Sequence, residues 1–252
     1  MSRDRKQIIA LLKEEFEKDD SVYALWLEGA DALNAVDKYS DLDVWIDVKD
    51  GFEEKVMEKI EKTLSKIALV DFSFEKQHPH PKIRQKFFHL KGSSEFFIID
   101  VCLQSHSRKF WYSKENQGEK VKILFDNAKI IKFRKLNKKK FRKEMLERAK
   151  ALEKTFLFFQ CWVKKEVFRN RFLDALKYYH SLVLEPLVEI LRIRFEPTKR
   201  DFHLKQVSKD LPKGIVKRVE KLYKVGDIKE ILPKTEKANK LFFKTVKEIK
   251  KR

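Results

Sequence analysis

The 252-residue sequence predicts a mixed α/β domain over residues 1–135, with a mixed sheet flanked by helices, followed by a C-terminal helical bundle domain over 136–252. Short apolar runs with strand-like alternation occur only before about residue 135, interleaved with amphipathic helical stripes, the pattern of a sheet covered by helices. Beyond that point lysine-rich stripes at helical spacing take over and no convincing strand follows. The charge changes as well. Residues 1–105 hold 16 Lys and Arg against 21 Asp and Glu, net −5, while the remainder holds 42 against 18, net +24.

In chain order, Ile8, Leu12 and Phe16 recur four apart and predict a helix over 5–18 that packs on a sheet. Ser21 to Glu28 reads as a buried strand ending at Gly29, where the chain turns. After a polar connection, 42–48 is a second strand, with Val44, Ile46 and Val48 on an apolar face and Asp41, Asp43, Trp45 and Asp47 on the other; the two strands resemble a hairpin-type unit. Phe52, Val56, Ile60, Leu64 and Ile67 form a helical stripe. Residues 69–76 and 84–91 alternate as strands, separated by a loop with two prolines. Phe96 to Leu103 is the most apolar strand, and KVKILFDNAKIIKF (120–133) offers two short strands around Asp126, Asn127 and Ala128. The helical stripes then run over about 137–166, 170–194, 212–225 and 234–250, with Pro186 kinking or splitting the second and Pro197, Pro212 and Pro233 marking boundaries.

A chain of this length buries roughly 70–75% of its unfolded surface, so a core forms without staples. Cys102 and Cys161 alone support neither a disulfide framework nor a zinc cluster. The N-terminal MSRDRKQIIALLKEEFEK is charged and amphipathic, and no apolar stretch approaches the length of a membrane span. These features predict a soluble cytoplasmic protein without a membrane partner. The charge asymmetry fits an acidic, metal-holding domain beside a basic one that attracts anions; a solubilising lysine surface explains it equally well.

Asp41 and Asp43, two apart on a strand, present two carboxylates a few ångströms apart on one face. Adjacent like charges repel unless neutralised, and paired hard oxygen ligands suit a divalent cation such as Mg²⁺. Asp100, in the middle of the most apolar strand, is expensive to bury unless paired or metal-bound.

A strand ending in Gly29-Ala30, a loop, Ser40-Asp41-Leu42-Asp43 on a second strand and an acidic residue on a later strand together resemble the polymerase-beta-type nucleotidyltransferase superfamily, over about residues 20–50, and within it the aminoglycoside and lincosamide nucleotidyltransferases. The Leu124-Phe125-Asp126 strand and the Phe202 to Leu222 segment with its Asp-Leu-Pro are similar too. The resemblance implies Mg²⁺-dependent transfer of a nucleoside monophosphate from a nucleoside triphosphate, ATP foremost, to a hydroxyl of a small molecule, with release of pyrophosphate. It implies that Asp41, Asp43 and Asp100 bind two Mg²⁺ ions, and that Asp100 stands by the attacking hydroxyl. Gly29, Ala30 and Ser40 would meet the phosphates, and nucleotide and acceptor would meet between the two domains. Ala30 stands where the family has serine, and Asn34 where it has a second loop glycine; Asn is the next-best residue for a left-handed conformation.

Other readings stay open: the same chemistry on a protein or RNA acceptor, or a non-catalytic nucleotide-binding module, for which the alanine at position 30 speaks. Nucleic acid is possible but not favoured, because the basic run from Lys129 to Lys150 has the spacing of a solvated helix face behind Phe141, Met145 and Ala149. His78 and His80 read as a polar loop rather than a metal pair. Phe156, Phe158, Phe159, Trp162, Tyr178 and Tyr179 read as bundle core. Nothing local marks Asp174 or Glu185 as a base, and the sequence is silent on oligomeric state.

Overall fold

The computed structural model describes residues 3–116 and 119–251, which divide into two compact units, Met1–Leu136 and Asn137–Arg252. The first unit contains α1 (Arg3–Phe16), β1 (Val22–Leu27), a single turn α2 (Gly29–Ala32), β2 (Leu42–Val48), α3 (Glu53–Ser65), β3 (Val70–Lys76), β4 (Ile83–Leu90), β5 (Ile99–Ser105), β6 (Tyr112–Ser113), β7 (Lys122–Asp126) and β8 (Phe133–Arg134). Its six-stranded mixed sheet has the order β3-β4-β5-β2-β1-β7, and β6 pairs separately with β8. β1 and β2 are antiparallel neighbours, as the hairpin-type reading expects. β2 and β5 run parallel, a pairing that needs a long crossover and is supplied by α3, β3 and β4.

Strand alternation divides this sheet into two chemically different faces. Leu25, Leu27, Leu42, Val44, Ile46, Val48, Val101 and Leu103 join Ile8, Leu12 and Phe16 of α1 and Val56, Ile60 and Leu64 of α3 in one buried cluster. The opposite face carries Trp26, Asp43, Trp45, Asp100 and Cys102. Trp26 is fully buried there, stacked with Trp45 and Phe110 at centroid separations of 5.9 Å each.

The second unit contains α4 (Lys138–Phe156), α5 (Gln160–Phe168), α6 (Phe172–Tyr179), α7 (Glu185–Phe195), α8 (Val207–Asp210), α9 (Lys213–Tyr223) and α10 (Ile231–Lys250). Pro186 does not break the chain between α6 and α7. A π-helical segment, His180–Leu184, joins them, and Pro186 falls in the first turn of α7, where its missing N–H is harmless. The expected single helix over 137–166 is instead two helices with a turn at residues 157–159. That turn alters the aromatic cluster. Phe156 and Tyr179 are buried as expected, but Phe158 is 73% and Trp162 42% exposed, because the break in α4 rotates them off its apolar stripe. The lysine face of α4 is solvated, with Lys140–Glu144 and Lys143–Glu147 pairs at 4.0 and 3.9 Å, while Met145 and Ala149 are buried. Among the described residues no helix is long and apolar enough to cross a membrane.

Candidate active site

Asp43 and Asp100 are register partners on the parallel strands β2 and β5, which places two carboxylates side by side on strands about 4.8 Å apart. On the other side of Asp43, the Glu28 amide donates to the Asp43 carbonyl at 3.1 Å, so Glu28 lies opposite Asp43 just beyond the end of β1. Three carboxylates, Glu28, Asp43 and Asp100, thus stand abreast across β1, β2 and β5. The sequence reading missed Glu28. Its signal was a charged residue closing an otherwise apolar strand immediately before Gly29.

Each member of the row has a different support. The Glu28 carboxylate accepts from the Tyr112 hydroxyl at 2.6 Å and from Trp26 Nε1 at 3.2 Å. Burial outweighs these bonds and raises its pKa above the ordinary glutamate range. Gln85 Nε2 donates to both oxygens of Asp100 at 2.9 Å, fixing the plane of that carboxylate. Asp43 is held against glycine: a Cβ on Gly29 would stand 2.0 Å from Asp43 Oδ2 and 3.1 Å from its Cγ. Gly29 also takes φ +58°, a left-handed conformation that L side chains rarely adopt. Glycine at this position therefore seats the carboxylate.

Cys102, register partner of Trp45 and two residues along from Asp100, lies among these acids. Burial first, then the charges of Asp100, Glu28 and Asp43, push its thiol far up, which disfavours the thiolate that a nucleophilic cysteine needs.

The loop that follows Gly29 is pinned from below. Arg5, 6% exposed, pairs with Asp31, 7% exposed, and donates to the Ser40 carbonyl, tying α1 to both ends of the connection. Asn34 takes φ +51°, as expected for a residue replacing a loop glycine. The Ser40 hydroxyl donates to Asp37 Oδ1 at 2.8 Å and accepts from the Asp37 amide at 2.9 Å, closing a local turn. Ala30 is half-buried in α2, and Asp41 is exposed, one residue ahead of β2.

Asp47, on the same strand face as Asp43, belongs to another cluster. It is 1% exposed and accepts from Gln104 Nε2 at 2.7 Å, with His106 Nδ1 also at 2.7 Å. His78 and His80 sit in the β3–β4 connection, where each ring Nδ1 accepts a backbone amide, from His80 at 3.0 Å and Lys82 at 3.1 Å. Asp174 and Glu185 are exposed on α6 and α7.

Among the described residues no three His, Cys, Asp or Glu side chains converge into a ready-made metal cage. The Asp43–Asp100 pair nevertheless has the donor chemistry that suits Mg²⁺, which is ordinarily held by one or two carboxylates with waters and substrate phosphates completing its octahedron.

No protein-family model matches the chain, and no curated protein does. Among solved structures, an aminoglycoside 6-adenyltransferase from Bacillus subtilis is similar with 14% identity and a TM-score of 0.42, over 100% of this chain and 91% of that one. Spectinomycin adenyltransferase AAD(9) from Enterococcus faecialis, solved with ATP and spectinomycin, is similar with 11% identity and a TM-score of 0.34, over 97% and 99% of the two chains. JHP933 from Helicobacter pylori gives 12% identity and 0.26, over 98% and 95%. These likenesses are distant, and the functional reading rests on the side chains of the site.

Proposed function

We propose that the chain is a nucleotidyltransferase that moves a nucleoside monophosphate from a nucleoside triphosphate, ATP foremost, to a hydroxyl of a small molecule. The observation that carries this reading is the placement of Asp43 and Asp100 as register partners beside the Gly29 turn, at the positions that the Gly-loop-Asp-x-Asp resemblance assigns to nucleotidyl transfer. In the reaction, the acceptor oxygen bonds to the α-phosphorus as the bond to the α,β-bridging oxygen breaks. That oxygen leaves with pyrophosphate, and the hydroxyl proton passes to Asp100.

Asp41, Asp43 and Asp100 are the residues that would hold the two Mg²⁺ ions, which when bound stabilise charge on the attacking and leaving oxygens. Gln85 keeps Asp100 oriented for its role. Gly29 and Ala30 offer backbone amides to the triphosphate at the start of α2, and Ser40 keeps its place through the Asp37 turn and the Arg5 clamp. Acceptor binding is assigned to the helical unit.

The test is incubation with α-labelled nucleoside triphosphates, Mg²⁺ and a panel of hydroxylated acceptors, with the Asp43→Asn and Asp100→Asn variants alongside. Label moves to an acceptor with the wild-type chain and not with either variant. Transfer that persists in Asp43→Asn refutes the site.

A further inference from the structure

A groove between α9 and α10 concentrates positive charge that the fold leaves unbalanced. Its walls are Arg218 and Lys221 from α9 and Lys234, Lys237, Lys240 and Lys244 from α10, around a cavity of about 320 Å³. Lys234 is engaged by the Lys224 carbonyl and by Glu230. The side chains of the other five make no ion pair or hydrogen bond among the described residues, and no carboxylate lines the groove. The lysines of α4 differ in this respect, since Lys140 and Lys143 each have a glutamate one turn on. On α10 the residue one turn beyond Lys237 is Leu241 and the one beyond Lys240 is another lysine, Lys244, while Glu236, one turn before Lys240, and Glu248, one turn beyond Lys244 and engaged by Arg194, form no ion pair with them among the described residues. Like charges so spaced repel, and an anion lodged among them relieves the repulsion from both helices at once.

The floor narrows the chemistry of that anion. It consists of Leu222, 5% exposed, and the half-buried Leu241. No aromatic ring lines the groove to stack a nucleobase. A bare polyphosphate would leave Leu241 and the aliphatic lysine stems around it wet, whereas an apolar chain covers them and keeps an attached anionic head among the ammonium groups. The groove is also sunk between two helices, which suits one chain rather than the plane of a bilayer.

We propose that the α9–α10 groove binds a single amphiphilic anion of the alkyl or acyl phosphate class, with its chain on Leu241 and the lysine stems and its head among Lys237, Lys240 and Lys244. This site is independent of the transfer reaction, and its test needs no nucleotide. The full chain is titrated calorimetrically with decyl phosphate below its micellar concentration, with methyl phosphate as the same head without the tail, with decanol, and with tripolyphosphate. Decyl phosphate binds, and removing the tail weakens binding roughly a hundredfold, the equivalent of a few buried methylenes. Decanol binds more weakly than decyl phosphate. The double charge reversal Lys237→Glu/Lys240→Glu, at exposed positions that leave the circular dichroism unchanged, weakens decyl phosphate about tenfold or more. Leu241→Ser weakens decyl phosphate but not tripolyphosphate. Asp43→Asn binds like the wild type, which separates this proposal from the transfer reaction. Tripolyphosphate binding as tightly as decyl phosphate overturns the proposal, and so does binding that survives the double reversal. Competition for the groove by single-stranded RNA or by anionic phospholipid vesicles, lost in the double reversal, where decyl phosphate does not bind, likewise overturns it.

Discussion

Replacing Gly29 with alanine probes the junction on which the site is built. The substitution places a Cβ 2.0 Å from Asp43 Oδ2 and forces an L residue to hold φ +58°. The backbone part costs about 1–2 kcal/mol, and the overlap adds about 1–3 kcal/mol of overpacking. The overlap has a specific remedy. With Asp43→Ala in the background, the nearest Asp43 atom remaining is its Cβ, at 3.8 Å, an ordinary van der Waals contact. Gly29→Ala should then cost only the backbone part, leaving a coupling of about 1–3 kcal/mol between the two sites. Any relief by rotation of Asp43 in the single variant moves that carboxylate out of line with Asp100, so the steric conflict that disappears from stability reappears as lost label transfer. The assay is urea unfolding of the four chains followed by tryptophan fluorescence, in which Trp26, Trp45 and Trp111 report on the sheet unit, paired with the transfer assay. Equal costs of Gly29→Ala in the two backgrounds, together with undiminished transfer in the single variant, refute the claim that glycine seats Asp43.

Three further perturbations test the supports around this junction and the second unit. Arg5→Met strips the partner from Asp31, whose side chain is 5% exposed, and breaking a pair this buried costs about 3–5 kcal/mol; a thermal midpoint equal to wild type contradicts the clamp. The Asp210 side chain is 7% exposed, and this partial burial by itself raises its pKa, but Lys199 and Arg192, the latter fully buried and bonded to it at 2.9 Å, more than offset this and hold the carboxyl below the aspartate range. A depressed folded pKa gives stability that is present above the unfolded value of about 3.9 and lost as pH falls through the folded one. The stability advantage of wild type over Asp210→Asn should therefore shrink on acidification below that value; a constant difference across the titration counts against the pair. Finally, iodoacetamide at mildly alkaline pH should label the exposed Cys161 and spare Cys102 until urea opens the sheet, because burial and the neighbouring acids keep the Cys102 thiol protonated. Equal labelling of both cysteines in the folded chain, read by mass spectrometry, argues against that environment.

The strands that carry the site were legible because their side chains alternate. Val44, Ile46 and Val48 against Asp43, Trp45 and Asp47 is a period of two that only a half-buried strand produces, and the structure places the two sets on opposite faces. Asn34 was legible as a left-handed position because so few residues tolerate one. Phe158 and Trp162, expected in the core, are exposed for a physical reason: helical spacing cannot register a turn at residues 157–159, after which the same residues point elsewhere. Glu28 and Gln85 are not legible in the sequence because their significance lies in strand neighbours, Asp43 and Asp100, that are 15 residues away in each case.

By itself, then, the sequence determined most of the segments that become strands and helices and where acidity gives way to basicity, and its Gly-loop-Asp-x-Asp pattern singled out Gly29, Asp41, Asp43 and Asp100 as candidates. Those are local properties, carried by periodicity and residue chemistry. Only the tertiary structure decided that Asp43 and Asp100 share a register, that Glu28 stands abreast of them, that Arg5 ties down the connecting loop, and that six cations from α9 and α10 line one groove. Each of these depends on which strands and helices become neighbours. That choice is made by burying the apolar faces of distant segments together, and the polar side chains on the opposite faces are carried into place by it.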